Sequence, residues 1–351
     1  MRRALPLLFL LACTARTPAR DGRGDGATSD DVVPLTSDTA PIGLRRSLIA
    51  DEYFWLRAKA LEGDAPPAFK EALAAMSELR TDLASDPTAW EDLEVPLGTV
   101  QRPNELSQLY GNLPRTRDVA GKPVPFRARA LRLANAIGES QGVFRKGPFR
   151  EHEVEIARAA QELGTLLVPK LEPVIHAVEA ELDLPSGGTR PIVITLVGEA
   201  PYQGIFAADA RGKLTASFVR VHGLAGSDLC EVVLHEALHA IDELTVRSPS
   251  AMNRLRAALA RRGLDENDSN VEMAINTVTF AEAASLVRRF VDPAHRPLGE
   301  SGFYELYPPA KAIVGAWEAH LTGAPIEATA DAIATAVAAP RPPGTGEASA
   351  W

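Results

Sequence analysis

Apolar residues in the first half of the chain recur at helical spacing. Leu48, Tyr53, Phe54 and Leu56 open one such stretch after Ser47, and 69–83 continues with apolar positions three and four apart, the stripe by which a helix buries one face. The same period predicts helices over 126–137, 151–167 and 173–182. Between them, 91–125 holds Pro96, Gly98, Pro103, Gly111, Pro114, Gly121, Pro123 and Pro125, and reads as an irregular connection. The texture changes after Pro191. Ile192-Val-Ile-Thr-Leu-Val197 is dense in β-branched residues and predicts a short strand, and 204–208 and 214–222 read the same way. Helical period returns over 250–262, 270–291, 309–322 and 325–338, and 341–351, with Pro342, Pro343 and Gly344, reads as a disordered tail. The expected fold class is α+β, mostly helical, with a small mixed β-sheet.

One predicted helix carries candidate chemistry. Asp228 with Glu231 three residues later predicts a capping box ahead of Val232, Val233 and Leu234, and the helix is expected to run to about Leu244. It contains His235-Glu-Ala-Leu-His239. A step of four residues turns a side chain by only about 40°, so both imidazoles leave one face a turn apart and can grip one cation. Glu236 leans toward that pair, where a carboxylate can take a proton from a metal-bound water and pass it to a leaving amine.

In this setting 191–290 resembles a zincin core: a small sheet, an HExxH helix and a later helix. The resemblance implies a zinc peptidase in which an edge strand aligns the substrate backbone beside the metal. The extended metzincin pattern is excluded, because Asp242 and Thr245 stand where it needs Gly and His. The glutamate-ligand branch implies a third ligand on a separate downstream helix, and Glu282 and Glu272 are both eligible. At about 100° per residue, Val271, Ile275, Val278 and Leu286 fall within about 40° of Glu282, so Glu282 is centred on the apolar stripe and coordination would remove the cost of burying it. Glu272 lies by Asn276, Thr279 and Ala283 on a more polar side. Glu282 is the expected third ligand and Glu272 the reserve, with an ion pair to Arg289 as the ordinary explanation of Glu282. The strings His235-Glu-Ala-Leu-His-Ala-Ile-Asp242 and Phe280-Ala-Glu-Ala283 also resemble the lethal-factor type of zincin, whose ligand glutamate lies one turn earlier, where this chain has Val278; the resemblance then implies either a different register here or a Glu282 that stands behind the metal in an incomplete site.

Asp242, seven positions after His235, returns to nearly the same face and is the candidate acceptor for an imidazole N–H, or else a plain exposed acid near the helix end. The resemblance further implies a Tyr or His that donates to the oxyanion of the reaction. Tyr304 is preferred, with Tyr307 and His295 as alternatives. His222, His320 and Cys230 read as structural.

Composition narrows the function further. A net charge of −9 excludes a phosphate-backbone binder, so nucleic acid is not an expected partner. The two cysteines, Cys13 and Cys230, allow neither a disulfide framework nor a cysteine metal cluster. Arg2 and Arg3 followed by an apolar run to Ala12 read as an export signal, and Leu10-Leu-Ala-Cys13 resembles a bacterial lipobox, which implies lipidation of Cys13. The expected organisation is a signal segment over 1–13, a flexible tether over 14–45, a helical region over 46–185 and a zincin-like catalytic region over 186–340. The functional expectation is an exported, lipid-anchored zinc (Zn2+) hydrolase of the cell envelope acting on a peptide or protein. The alternatives are a non-catalytic envelope lipoprotein on the same scaffold and a helical adaptor.

Overall fold

The computed structural model describes residues 32–36, 40–63, 66–185, 192–209, 214–245, 248–264, 269–301 and 303–338. In chain order, β1 (Val32–Pro34) and β2 (Ile42–Ser47) lead into α1 (Leu48–Glu62), α2 (Lys70–Asp82), α3 (Pro87–Glu94) and α4 (Pro103–Tyr110). A hairpin of β3 (Arg117–Val119) and β4 (Lys122–Val124) precedes α5 (Phe126–Lys146), α6 (Pro148–Leu166) and α7 (Leu171–Glu181). Then come β5 (Ile192–Val197), β6 (Gly204–Ala208), β7 (Thr215–Arg220) and α8 (Gly226–Leu244). The chain ends in α9 (Ala251–Ala260), α10 (Ser269–Phe290), α11 (Phe303–Leu306), α12 (Ala310–Leu321) and α13 (Ile326–Ala338). The fold is therefore mixed α+β and mostly helical, with a small mixed sheet.

The sheet has the order β1-β2-β5-β7-β6. β2, β5 and β7 run parallel, while β1 and β6 are antiparallel edge strands. Successive side chains point to opposite faces, and both faces are covered. Ile194, Leu196 and Val219 join the core formed with α6, α7, α8, α10, α12 and α13. Val197, Ala216 and Phe218 join the core formed with α1, α2, α4 and α5, where Phe54 meets Phe218 at a ring separation of 4.7 Å.

Three expectations about organisation change. The tether read over 14–45 overlaps β1 and β2: Ile42 pairs with Ile192 and Leu44 with Ile194. Only two apolar residues alternate there, and the partners lie about 150 positions away, so no local pattern announces the strand. The separation of 46–185 from 186–340 also gives way, because this strand and the two-sided core place all described residues in one compact unit. The connection over 91–125 contains α4 and the β3–β4 hairpin. Pro103 sits in the first turn of α4, where a missing N–H costs nothing, and Glu105 accepts from the Gln101 and Arg102 backbone N–H groups. Ala120 and Gly121 both take positive φ, at 51° and 78°, as a tight hairpin turn requires. α5 also runs past the predicted end at 137, because Gly138 and Gly142 interrupt its apolar stripe without breaking it.

A buried polar tie holds the two layers together. Asp51 of α1 is fully buried; its Oδ1 accepts from the Gly198 N–H at 2.6 Å, and its Oδ2 lies 2.7 Å from His152 Nδ1 on α6. Among the described residues no helix is long and apolar enough to cross a membrane. Cys13 and the expected export signal lie outside the described residues.

Candidate functional site

α8 begins two residues before the predicted cap. Ala225 is its N-cap, Gly226 takes φ +56°, and the Gly226 N–H donates to Glu162 at 2.9 Å. Glu231 does not close a capping box. It turns inward, pairs with His295 Nε2 and accepts from the Leu298 N–H. The helix end at Leu244 agrees with expectation.

The imidazoles of His235 and His239 meet as expected from their spacing. Their ring centroids are 4.5 Å apart, the rings are perpendicular, and the two Nε2 atoms face one another at 3.1 Å. Phe280 of α10 stacks on His235 at 3.9 Å, and Phe206 of β6 stacks on His239 at 5.7 Å. β6, α8 and α10 thus all contribute side chains to one cluster. Glu236 is 3% exposed and its Oε1 lies 3.9 Å from His235 Nε2. It stands against Gly204, where a Cβ would overlap its carboxylate and force that side chain to shift.

Burial sets the protonation of this cluster. It pushes His235 well below the usual imidazole range, with a further push from His239, and it lowers His239 despite the opposing charge of Asp242. Both rings are therefore neutral near pH 7, the form that ligates metal. The same burial pushes the Glu236 carboxyl up to about 8. His235 Nδ1 and Glu236 Oε2 are buried without a hydrogen-bond partner, a cost that a neighbouring cation offsets for the carboxylate.

Glu282, expected as third ligand, does not join the imidazoles. Its Oε2 accepts from Trp317 Nε1 at 2.8 Å, and burial followed by the adjacent Glu181 carboxylate raises its pKa well above the usual range. The apolar stripe on which it is centred faces the helical core, not the site. Arg289 pairs with Glu181, so the ordinary explanation of Glu282 holds only at one remove. Val278 is likewise buried in the core. The face of α10 turned toward the imidazoles carries Asn276, whose Oδ1 lies 3.1 Å from His239 Nε2. Asn276 and Glu282 are six residues apart, about 120° around the helix. Among the described residues no three His, Cys, Asp or Glu side chains converge as a metal group.

The supporting residues fall elsewhere. Both oxygens of Asp242 are engaged by Arg256, so Asp242 does not accept from an imidazole and acts on His239 only through its charge. His295 is buried against Glu231, and Tyr304, packed at Gly299, feels Glu231 and Glu300. Tyr307 donates to the Asn270 carbonyl at 3.2 Å. The structural readings of three residues stand: exposed His222 pairs with Glu155, His320 lies 2.9 Å from the Ala324 carbonyl, and burial pushes the Cys230 thiol up to about 12.

Comparison of the chain with protein-family models, curated proteins and solved structures gave no match. The site must be read from its own geometry. Three participants were not singled out from the sequence: Asn276, Phe206 and Phe280. In sequence Phe206 and Phe280 look like any core aromatic, and no local pattern marks Asn276, a neutral amide, as facing the imidazoles. Glu91 adds a contribution from the first helical layer. Burial, then Glu272, Asp92, Glu94 and Glu243 push it up to about 7, which puts α3 beside the ends of α8 and α10 that border the site.

Proposed function

We propose that the protein is a zinc-dependent hydrolase, a peptidase built on a zincin-like core, with His235 and His239 as metal ligands and Glu236 as general base. The observation that carries this reading is the pair of imidazoles, His235 buried and His239 half-buried, whose Nε2 atoms face one another at 3.1 Å beside a buried carboxyl group with an unpartnered oxygen. Two hydrophobic walls, Phe206 and Phe280, fix the ring planes, so the donor atoms are held in place before any ion arrives. Zinc at such a site supplies Lewis acidity and a water acidic enough to be deprotonated near neutral pH. Glu236 would hold that proton and hand it to the leaving amine. β6, at the edge of the described sheet, is antiparallel to β7 and directly beside α8, the position where an extended peptide would add as a strand, which supports peptide or protein as the substrate class.

Purified protein is expected to carry about one zinc per chain, and His235→Ala and His239→Ala are each expected to lose it while keeping their fold. Elemental analysis beside circular dichroism checks this. Metal-free wild type, prepared without chelator and challenged with zinc, would end the reading.

A second reading, a scaffold that binds without turnover, is favoured by one observation. His235 is only 5% exposed and both rings are capped by aromatics, as in a site that keeps metal for structure. Zinc that is retained without any peptide cleavage would select it.

Export and lipid anchoring at Cys13 form a separate part of the proposal, resting on Leu10-Leu-Ala-Cys13 after a short apolar run. Expression in a bacterial host with an alkyne-tagged fatty acid is expected to label the wild-type chain and not Cys13→Ser. Equal labelling of both would remove the anchor.

A further inference from the structure

We propose that Asn276 is the third protein ligand of the metal, its amide oxygen standing where a glutamate was expected, so that the ion is held by two neutral nitrogens and one neutral oxygen. This rests on the metal reading above and specifies its site.

Donor atoms from α8 and α10 gather around His239 Nε2. His239 Nε2 lies 3.1 Å from His235 Nε2 and 3.1 Å from Asn276 Oδ1. Bonds of about 2.0–2.2 Å to a tetrahedral ion separate neighbouring ligand atoms by about 3.3 Å. The observed spacings are within a few tenths of an ångström of that value.

Hydrogen bonding alone serves the three atoms poorly. A neutral imidazole nitrogen carries at most one proton, and the amide oxygen carries none. A single proton on His239 Nε2 would have to serve two acceptors, whereas a proton on both Nε2 atoms would set N–H against N–H. One cation at the centre satisfies all three lone pairs.

The competing carboxylates are placed less well. Glu282 is committed to Trp317 on another face of α10. Glu272 is one turn before Asn276 and exposed, on the side where Glu91 feels its charge. With no anionic ligand, the ion would keep its full charge at the site. Its bound water would then be more acidic and the ion itself more weakly held than with a carboxylate, leaving Glu236 as the adjacent negative group.

The test is zinc affinity, measured by competition with a chromophoric chelator, together with the visible spectrum of the cobalt-substituted protein. Asn276→Ala is expected to weaken zinc binding by at least about tenfold. Asn276→Asp, nearly isosteric and anionic, is expected to tighten it and to shift the cobalt bands, while Glu272→Gln leaves both unchanged. Asn276→Asp keeps the test decisive if the alanine variant fails to fold. Wild-type affinity and spectrum in both Asn276 variants, with zinc still lost in His235→Ala, would overturn the amide ligand and spare the metal site. Weakening confined to Glu272→Gln would overturn it in favour of that carboxylate. Failure of wild-type protein to bind zinc or cobalt at all would overturn the metal reading itself.

Discussion

Glu236→Gln is expected to retain zinc and to lose peptide hydrolysis by about 10²–10⁴-fold, the range for removing a positioned general base. The Glu236 side chain is 3% exposed, stands against Gly204, and has its Oε1 3.9 Å from His235 Nε2. Burial alone holds it protonated up to about pH 8, which is a cost for an acid with no role. On the proposed reading, a dication at the imidazole pair would favour the carboxylate instead, and the group would serve as a base only with the metal bound. Glutamine preserves the shape and the contact with β6 but cannot take a proton. Incubation with a mixed peptide library, with cleavage read by mass spectrometry and zinc measured on the same sample, checks the expectation. Cleavage at the wild-type rate by the zinc-loaded variant would remove Glu236 from the chemistry.

The largest expected effect on stability lies away from the site. Asp51→Ala is expected to cost about 3–5 kcal/mol, as for breaking a buried charged pair by removing one partner. It strands the Gly198 N–H and His152 together, and so unties α1 from the end of β5 and from α6. Burial by itself would lower the His152 pKa, but the hydrogen bond and charge of Asp51, with Glu199 and Glu155, outweigh it and leave the value raised. A raised native value stabilises the protein through the protonated form. That contribution is full below the unfolded value of about 6.5 and fades as pH rises through the higher native value. The gap between wild type and Asp51→Ala in urea denaturation is therefore expected to be wider below about pH 6 than well above the native value, without closing, because the Gly198 hydrogen bond does not titrate. A gap that is constant with pH, or that widens toward alkaline pH, would show that the ion pair does not contribute as described.

The sequence revealed the helix that holds the imidazoles more clearly than it revealed their surroundings. Periodicity located α8, α10 and the strands β5 to β7, because each is long enough for its own apolar pattern to show. It missed β2, whose pattern is two residues deep and whose reason for being a strand is β5, far along the chain. The capping box at Asp228 and Glu231 failed for a related reason: Glu231 found a better partner in His295, which only the folded chain brings near. Asp242 was likewise taken by Arg256.

Glu282 shows where local geometry stops. Glu282 is buried on the apolar stripe of α10, and its carboxyl group finds a partner there, as burial demands. What periodicity does not say is which neighbour a stripe faces. Here it faces Trp317 and Glu181, while the opposite, more polar side carries Asn276 to the imidazoles.

By itself the sequence determined that two imidazoles and a carboxylate leave one turn of one helix, because a step of four residues on an α-helix admits no other outcome. Everything that depends on distant segments was decided by the tertiary structure: which face of α10 meets that turn, which glycine of β6 stands against Glu236, and which aromatics close over the rings. The physical reason is that intrahelical angles are set by backbone geometry, whereas the facing of one helix against another is set by the packing of all the side chains between them.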